Sequence, residues 1–297
     1  MSKLTNKTKA IVASVLGNFI FGLSFLASKI ALSEVSPMVL ISTRFILSFL
    51  IMNLLVFFGI AKINFRGKNL FPLLILGICQ PVLYFIFETY GIKYSSSSFA
   101  GIIIAFIPIL AFLLAAVFLK EPLKKNKVVW SIFSLVGIVI ISLAEQSGGS
   151  VHIIGILLLS GAVLTAAIFN IISRKNAGTF TAFERTYFMF AVASIVFFIM
   201  ALFETKGTLF RVIAEEASNI SFVLPTIFLA VFSSVIAFFC VNYSVTYLRI
   251  QQSTSFGNLS TIVSVVAGVL ILHENFTVFH LFGIVLIIIG VYKVNSQ

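Results

Sequence analysis

Long apolar runs alternate with short polar breaks along the whole chain. Ten of these runs approach the roughly 20 residues that a helix needs to cross a hydrocarbon core of about 30 Å. They fall at roughly 11–32, 37–60, 70–92, 97–119, 127–144, 151–173, 181–203, 222–246, 253–272 and 277–293, each end good to about 2–4 residues. The pattern predicts an all-α integral membrane protein with ten transmembrane helices. Pro81 and Pro225 fall inside the third and eighth runs, and Pro108 inside the fourth. A membrane helix tolerates proline where a neighbour or water takes the freed carbonyl, so these are expected kinks beside a cavity or simple packing points.

One stretch occurs twice. Residues 94–140 contain an apolar run, the break Lys120-Glu121-Pro122, and a second apolar run closing on Gly137. Residues 247–293 repeat that plan around His273-Glu274-Asn275, with Gly290 near the end. The offset is constant, since 274 − 121 and 290 − 137 both give 153, and it also relates Tyr94 to Tyr247 and Ile109 to Ile262. Such self-similarity marks an internal duplication, with expected repeats at 1–146 and 147–297. Five spans per copy is an odd number, so the copies are expected to insert with opposite orientation. Inverted repeats are typical of secondary transporters that bind substrate near the midplane.

Composition fits this picture. The chain is 60% hydrophobic and 10% charged, with a mean hydropathy of +1.16, against roughly 25% charged residues in soluble domains. Its net charge of +11 is placed for a membrane rather than for nucleic acid. Lys and Arg gather before the first run and after the second, fourth, sixth, eighth and tenth, which predicts cytoplasmic termini in a multi-pass cell-membrane protein. The first run is long and lacks an A-x-A site, so an uncleaved span is expected behind Lys3, Lys7 and Lys9. Cys79 and Cys240 lie in apolar runs, and no disulfide is expected.

The chain resembles the EamA-type transporters of the drug/metabolite transporter superfamily. The residues that carry the resemblance are Phe21-Gly22-Leu23-Ser24-Phe25 with Lys29, then Pro37, Arg44, Ala100, Pro108, Leu119-Lys120-Glu121-Pro122 and Gly137. In the second copy they are Ser253, Leu272-His273-Glu274, Gly283 and Gly290. The resemblance covers almost the whole chain. It implies two five-helix repeats, transport of amino acids, amines or other metabolites, and a peripheral place for the fifth and tenth spans.

Ionisable groups at membrane depth cost at least about 2.5–3.5 kcal/mol on insertion scales and usually face the bundle interior. Gln80, Tyr84 and Glu88 share one helix face at i, i+4 and i+8. Together they offer an acceptor, an aromatic ring and a carboxylate, a set suited to an ammonium group. Glu88 is also a candidate carrier of a coupling proton. The alternative is that Glu88 pairs with Arg44 or Lys93 near the outer water. Lys29, Arg44, Glu88 and Lys93 are expected to form an outer charged network that controls closure, although Lys29 also has the reach to snorkel. The remaining candidate substrate contacts are Asn18, Phe21 and Phe25 in the first span, Asn170 in the sixth, Phe238, Asn242 and Tyr243 in the eighth, and Asn258 in the ninth. Small polar residues also serve to pack membrane helices, so their clustering carries more weight than any one of them. Glu121 and Glu274 sit at span ends, where a structural role is expected.

The chain has no G-x-x-x-x-G-K-[ST] phosphate loop, no H-E-x-x-H, no G-x-S-x-G and no aspartate. These absences disfavour an ATP-driven pump and an intramembrane enzyme. The expected function is secondary active transport of a small polar metabolite by alternating access, with a membrane sensor or lipid scramblase as the alternative. The expected partners are a small-molecule substrate, membrane lipids and a coupling proton, in a monomer or homodimer. No cofactor is expected, and the spacing of His152, His273 and His280 supports no metal site.

Overall fold

A computed structural model of the chain describes residues 5–94, 103–104, 106–122, 124–144, 153–272 and 277–296. Lys3, Ser95 to Ser98, Ala100, His152, His273 and Glu274 lie outside the described residues. Every regular element among those described is helical. In chain order they are α1 (Asn6–Ala31), α2 (Pro37–Phe57), α3 (Phe71–Gly77), a π-helical segment (Ile78–Leu83), α4 (Tyr84–Lys93), α5 (Ile107–Phe118), α6 (Lys125–Ala144) and α7 (Ile153–Lys175). A short 3-10 turn (Asn176–Gly178) leads to α8 (Ala182–Glu204), α9 (Leu209–Glu216) and α10 (Ile220–Phe228). A second π-helical segment (Leu229–Ala237) then precedes α11 (Phe238–Tyr247), α12 (Ile250–Ser255), α13 (Asn258–Leu272) and α14 (Val278–Ser296).

Among the described residues, six stretches are long and apolar enough to cross a membrane: Asn6–Ser28, Pro37–Phe57, Phe71–Gly91, Ile153–Gly178, Ala182–Glu204 and Ile220–Tyr247. Ile107–Phe118 and Val278–Val294 are shorter apolar helices. The chain is thus an all-helical, multi-pass membrane protein. The expected ninth span is divided, because the helix breaks at Phe256 and Gly257 between α12 and α13.

Local sequence explains the helix ends. Thr5 caps α1 by accepting from the Thr8 amide, and Thr181 with Glu184 forms a reciprocal capping box on α8, which satisfies amides that the first turn leaves unpaired. Pro37 occupies the first turn of α2, where the missing N–H costs nothing. Pro108 occupies the same place in the first turn of α5. Pro81 does interrupt its span. It lies in the first π segment beside Gln80, whose backbone is extended at φ −149 and ψ 124. Pro225 lies in α10, just ahead of the second π segment.

The main packing pairs are α2 with α8, α1 with α11 and α13, α7 with α4 and α5, and α6 with α14. The core between α2, α8 and the two interrupted spans is largely aromatic. Phe45 stacks on Phe197 with ring centres 5.6 Å apart and meets Phe190 edge-on at 5.3 Å. The glycines that mark the duplication close the α6–α14 pair. A Cβ on Gly137 would fall 2.6 Å from the Gly283 carbonyl, and one on Gly290 2.6 Å from the Ser134 Cβ. Only a hydrogen fits there, as expected where membrane helices approach closely through small residues.

The two ends of the bundle differ in charge. Ala10, near the start of α1, packs with Leu248 and Val291, so the chain's N-terminal end shares a face with the ends of α11 and α14. That face also carries Lys62, Lys68, Lys124, Arg174, Lys175, Arg185, Arg249 and Lys293. At the opposite face Asn219 donates to Glu34 and to Glu216, each at 2.8 Å.

Candidate functional site

A cavity of about 130 Å³ lies where α1, the first π segment, α4, α7, α11 and α12 converge. Six of the residues singled out from sequence line it: Asn18, Phe21, Gln80, Tyr84, Asn170 and Phe238. The other lining residues, Ile107, Phe169, Ser253 and Thr254 among them, were not expected substrate contacts. The break at Gln80 turns this residue out of helical register and into the wall. An interrupted membrane helix of this kind is tolerated where it lines a cavity or is buried in protein.

Two asparagines give the cavity its polarity. Asn18 Nδ2 donates to the Ser14 carbonyl at 2.7 Å, and Asn170 Nδ2 to the Ala166 carbonyl at 2.9 Å. Each therefore spends one of its two amide N–H groups on its own helix and keeps its Oδ1 and the other N–H free of partners among the described residues. Phe21 and Phe238 meet edge-on at 5.2 Å and form an apolar wall. The cavity can hold a small molecule that offers hydrogen-bond donors and an apolar or planar part.

Other expected contacts lie elsewhere. Glu88 is partly buried and accepts a hydrogen bond from the Tyr84 hydroxyl at 3.0 Å, so the ring stands between its carboxylate and the cavity. Asn242 is fully buried and saturated. Its Oδ1 accepts from Ser173 Oγ at 2.6 Å, and its Nδ2 donates to Thr186 Oγ1 at 3.0 Å. Asn258 donates to Ser134 Oγ at 2.8 Å and ties α13 to α6. Tyr243 projects from the other side of α11, stacked 6.2 Å from Phe239 and 4.9 Å from Tyr247. None of these three positions lines the cavity. Asn242 and Tyr243 share α11 with the lining residues Phe238 and Val241, and Asn258 opens α13, which contributes no lining residue.

Of the expected outer network, the structure describes the side chains of Arg44 and Glu88. Arg44 is buried, but its Nε donates to Ser234 Oγ at 2.8 Å and its NH2 group to Ser233 Oγ at 2.9 Å. Its guanidinium lies over the rings of Phe45 and Phe85. Arg44 and Glu88 form no ion pair with each other. The hydroxyls come from the second π segment, so Arg44 ties α2 to that segment. The side chains of Phe25, Lys29 and Lys93 lie outside the described residues.

The structure adds a polar cluster at the basic end. Arg185 is fully buried. It donates to the Ser173 carbonyl, to the Asn242 carbonyl at 2.6 Å and to Thr246 Oγ1 at 2.5 Å. Arg174 donates to the Val245 carbonyl at 2.8 Å and to the Thr246 carbonyl. Glu121 lies 3.8 Å from Arg174 Nε and accepts from the Ile250 amide at 3.1 Å. The C-terminal ends of α7 and α11 meet here, and their last carbonyls carry partial negative charge. The two guanidiniums donate to those carbonyls and tie the ends of α7, α8 and α11 together at the basic end. The sequence signal for it is an arginine in the first turn of an apolar helix, which the count of basic breaks treats only as part of the break after the sixth run.

The sequence matches the EamA-like transporter family over residues 8–143 and 153–296. The chain belongs to that family. An "uncharacterized transporter YcxC" of Bacillus subtilis (strain 168) is 36% identical over 295 residues, covering 97% of this chain and 93% of the relative. An "uncharacterized transporter" of Archaeoglobus fulgidus is 26% identical, covering 92% of this chain and 94% of its own length. A solved structure entitled only "Crystal structure of protein" superposes with a TM-score of 0.79 at 18% identity, covering 97% of this chain and 96% of that one. At that identity the likeness concerns the fold alone. EamA membership and the relatives' names place the chain among membrane transporters rather than enzymes. For an EamA protein, a central cavity with a polar cluster at the basic end is the feature to explain.

Proposed function

We propose that this protein is a secondary active transporter that moves a small polar metabolite, first of all an amino acid or amine, across the cell membrane by alternating access. The observation that carries the reading is the cavity between α1 and α7, where Asn18 and Asn170 hold the same arrangement on opposing walls. The reading takes the ten apolar runs as ten spans in two inverted repeats, residues 1–146 and 147–297. An exchange of packing partners supports it. The first span (α1) packs on the eighth and ninth (α11 and α13), while the sixth (α7) packs on the third and fourth (α4 and α5). A two-fold axis between the repeats converts one set into the other. The two separate stretches matched to the family, 8–143 and 153–296, support the same division.

In this mechanism the substrate's donors meet the Asn18 and Asn170 oxygens, and Phe21, Phe169 and Phe238 take its apolar part. Opening to the basic end requires the Arg174–Arg185 cluster to release the ends of α7 and α11. Rocking of one repeat against the other around the midplane site does this. Tyr84 links the cavity wall to Glu88, which is the candidate to exchange a coupling proton as the wall moves. The basic end is taken as cytoplasmic.

The test is counterflow of labelled metabolites into liposomes containing the purified protein, after a thermal-shift screen for ligands. Saturable counterflow of an amino acid or amine is the expected result. Lipid movement between leaflets, without counterflow of any metabolite, would replace the proposal with a scramblase.

A further inference from the structure

We infer that the basic end of the bundle carries a binding site for an anionic phospholipid, separate from the central cavity. A second cavity, of about 600 Å³, lies on the far side of α11 between the α2–α3 connection, the 3-10 turn after α7 and the start of α8. Three features meet in it. Phe239, Tyr243 and Tyr247 form a continuous ladder on one face of α11, at i, i+4 and i+8. Lys62 and Lys68 stand at the opposite wall. The site lies at the end of membrane-crossing helices, where α8 begins and α11 ends.

Charge selects the ligand. Glu184 is the acidic group among the described lining residues, and it is already satisfied. Its Oε1 accepts from the Asn64 amide at 2.8 Å and from Lys68 Nζ at 3.4 Å, and its Oε2 from the Thr181 amide at 2.8 Å. Lys68 lies over the Phe180 ring at 5.1 Å and is held against the wall. Lys62 is exposed, and among the described residues it forms no hydrogen bond or ion pair. The pocket therefore carries one uncompensated positive charge at its mouth, with a fixed lysine behind it.

Basic pockets between membrane helices suit lipid head groups, and tyrosines suit the depth at which head groups lie. In the proposed pose the phosphate sits between Lys62 and Lys68, the tyrosine hydroxyls reach the glycerol region, and an acyl chain follows the exposed face of Phe239. A soluble phosphate would use the lysines alone and gain nothing from the ladder. Thr246 lines this pocket and also accepts from Arg185, so a bound lipid packs against the cluster that closes the basic end.

The test is thermal shift and native mass spectrometry of the purified full-length protein with added phosphatidylglycerol, phosphatidylcholine or glycerol 1-phosphate. Phosphatidylglycerol should raise Tm by several degrees more than phosphatidylcholine and stay bound at one copy per chain, while glycerol 1-phosphate should give no shift. Lys62→Ala and Tyr247→Ala, both at exposed positions, should each remove at least half of the phosphatidylglycerol-specific shift. Arg211→Ala at the other end should leave it intact. Equal shifts from the two lipids would overturn the proposal. So would a full shift from glycerol 1-phosphate, or a shift unchanged in the Lys62→Ala, Tyr247→Ala double variant.

Discussion

Asn18 and Asn170 make the same hydrogen bond on opposing walls of the central cavity. Each amide donates to the carbonyl four residues earlier in its own helix, Ser14 at 2.7 Å and Ala166 at 2.9 Å. This leaves two acceptors without donors, and a substrate can supply the donors. A hydrogen bond of this kind contributes about 1–1.5 kcal/mol. Asn18→Leu and Asn170→Leu should therefore each raise the half-saturation concentration for counterflow by about tenfold. Little change in Tm is expected, because the Ser14 and Ala166 carbonyls keep their helical partners. Unchanged half-saturation in both variants would take these asparagines out of substrate contact.

The Tyr84 hydroxyl donates to Glu88 at 3.0 Å. If Glu88 exchanges the coupling proton, Glu88→Gln should abolish uptake driven by a proton gradient and leave counterflow, which needs no net proton movement. Tyr84→Phe removes the hydrogen bond but keeps the ring, so the pH at which driven uptake is half-maximal should move. Normal driven uptake by Glu88→Gln, with normal pH dependence, would eliminate the proton role.

The closing cluster at the basic end contains two unequal parts. Arg185 is fully buried and holds backbone carbonyls of two helices. Arg185→Met removes the buried hydrogen bonds that join α8 to α7 and α11, although the Asn242 carbonyl keeps the Thr246 hydroxyl as a donor, and should lower stability by about 2–4 kcal/mol, measured by thermal or denaturant unfolding. The Glu121–Arg174 pair, at 3.8 Å and partly exposed, contributes at most about 1 kcal/mol. Glu121→Gln should leave Tm nearly unchanged but loosen the closure. In a background with Cys79 and Cys240 replaced by alanine, a Ser253→Cys probe in the cavity wall should then react faster with a thiol reagent applied from the basic side. Equal labelling rates with and without Glu121→Gln would show that the pair takes no part in closure.

Two glycines provide a paired test of packing. A Cβ on Gly290 would meet the Ser134 Cβ at 2.6 Å and the Trp130 carbonyl at 2.7 Å, whereas one on Gly178 meets nothing within 4 Å. Gly290→Ala should destabilise by about 1–3 kcal/mol through overpacking. Gly178→Ala should be neutral, or stabilising by up to about 1 kcal/mol through the unfolded chain. Comparable unfolding midpoints for the two variants would contradict the close α6–α14 contact.

Much of the fold was legible in the sequence because lipid imposes a simple rule. A segment that crosses it is apolar and helical, and its length shows in one dimension. The divided ninth run and the first-turn place of Pro108 were not legible, since neighbouring helices decide whether a break becomes a kink, a cap or a new helix. Helical spacing paired Gln80 with Tyr84, and both line the cavity, but Gln80 reaches it through the extended backbone at the break and not by sharing a helix face. Asn242 and Asn258 show what span-level reading leaves open. The helix of Asn242 reaches the cavity, but its rotation directs the amide to Ser173 and Thr186, while Asn258 lies past the break in its span and its amide goes to Ser134.

The sequence by itself determined that this is a helical membrane protein with a hairpin plan written twice, basic residues in alternate breaks, and a family resemblance that the comparisons bear out. Hydrophobicity, period and charge are properties of neighbours along the chain, so they can be read without coordinates. Only the tertiary structure decided which polar groups face one another. It put Asn18 opposite Asn170, sent Arg44 to serines in place of Glu88, and buried Arg185 between two helix ends. Each of these outcomes depends on helix rotation and on contacts between residues as many as 190 positions apart, which no local pattern encodes.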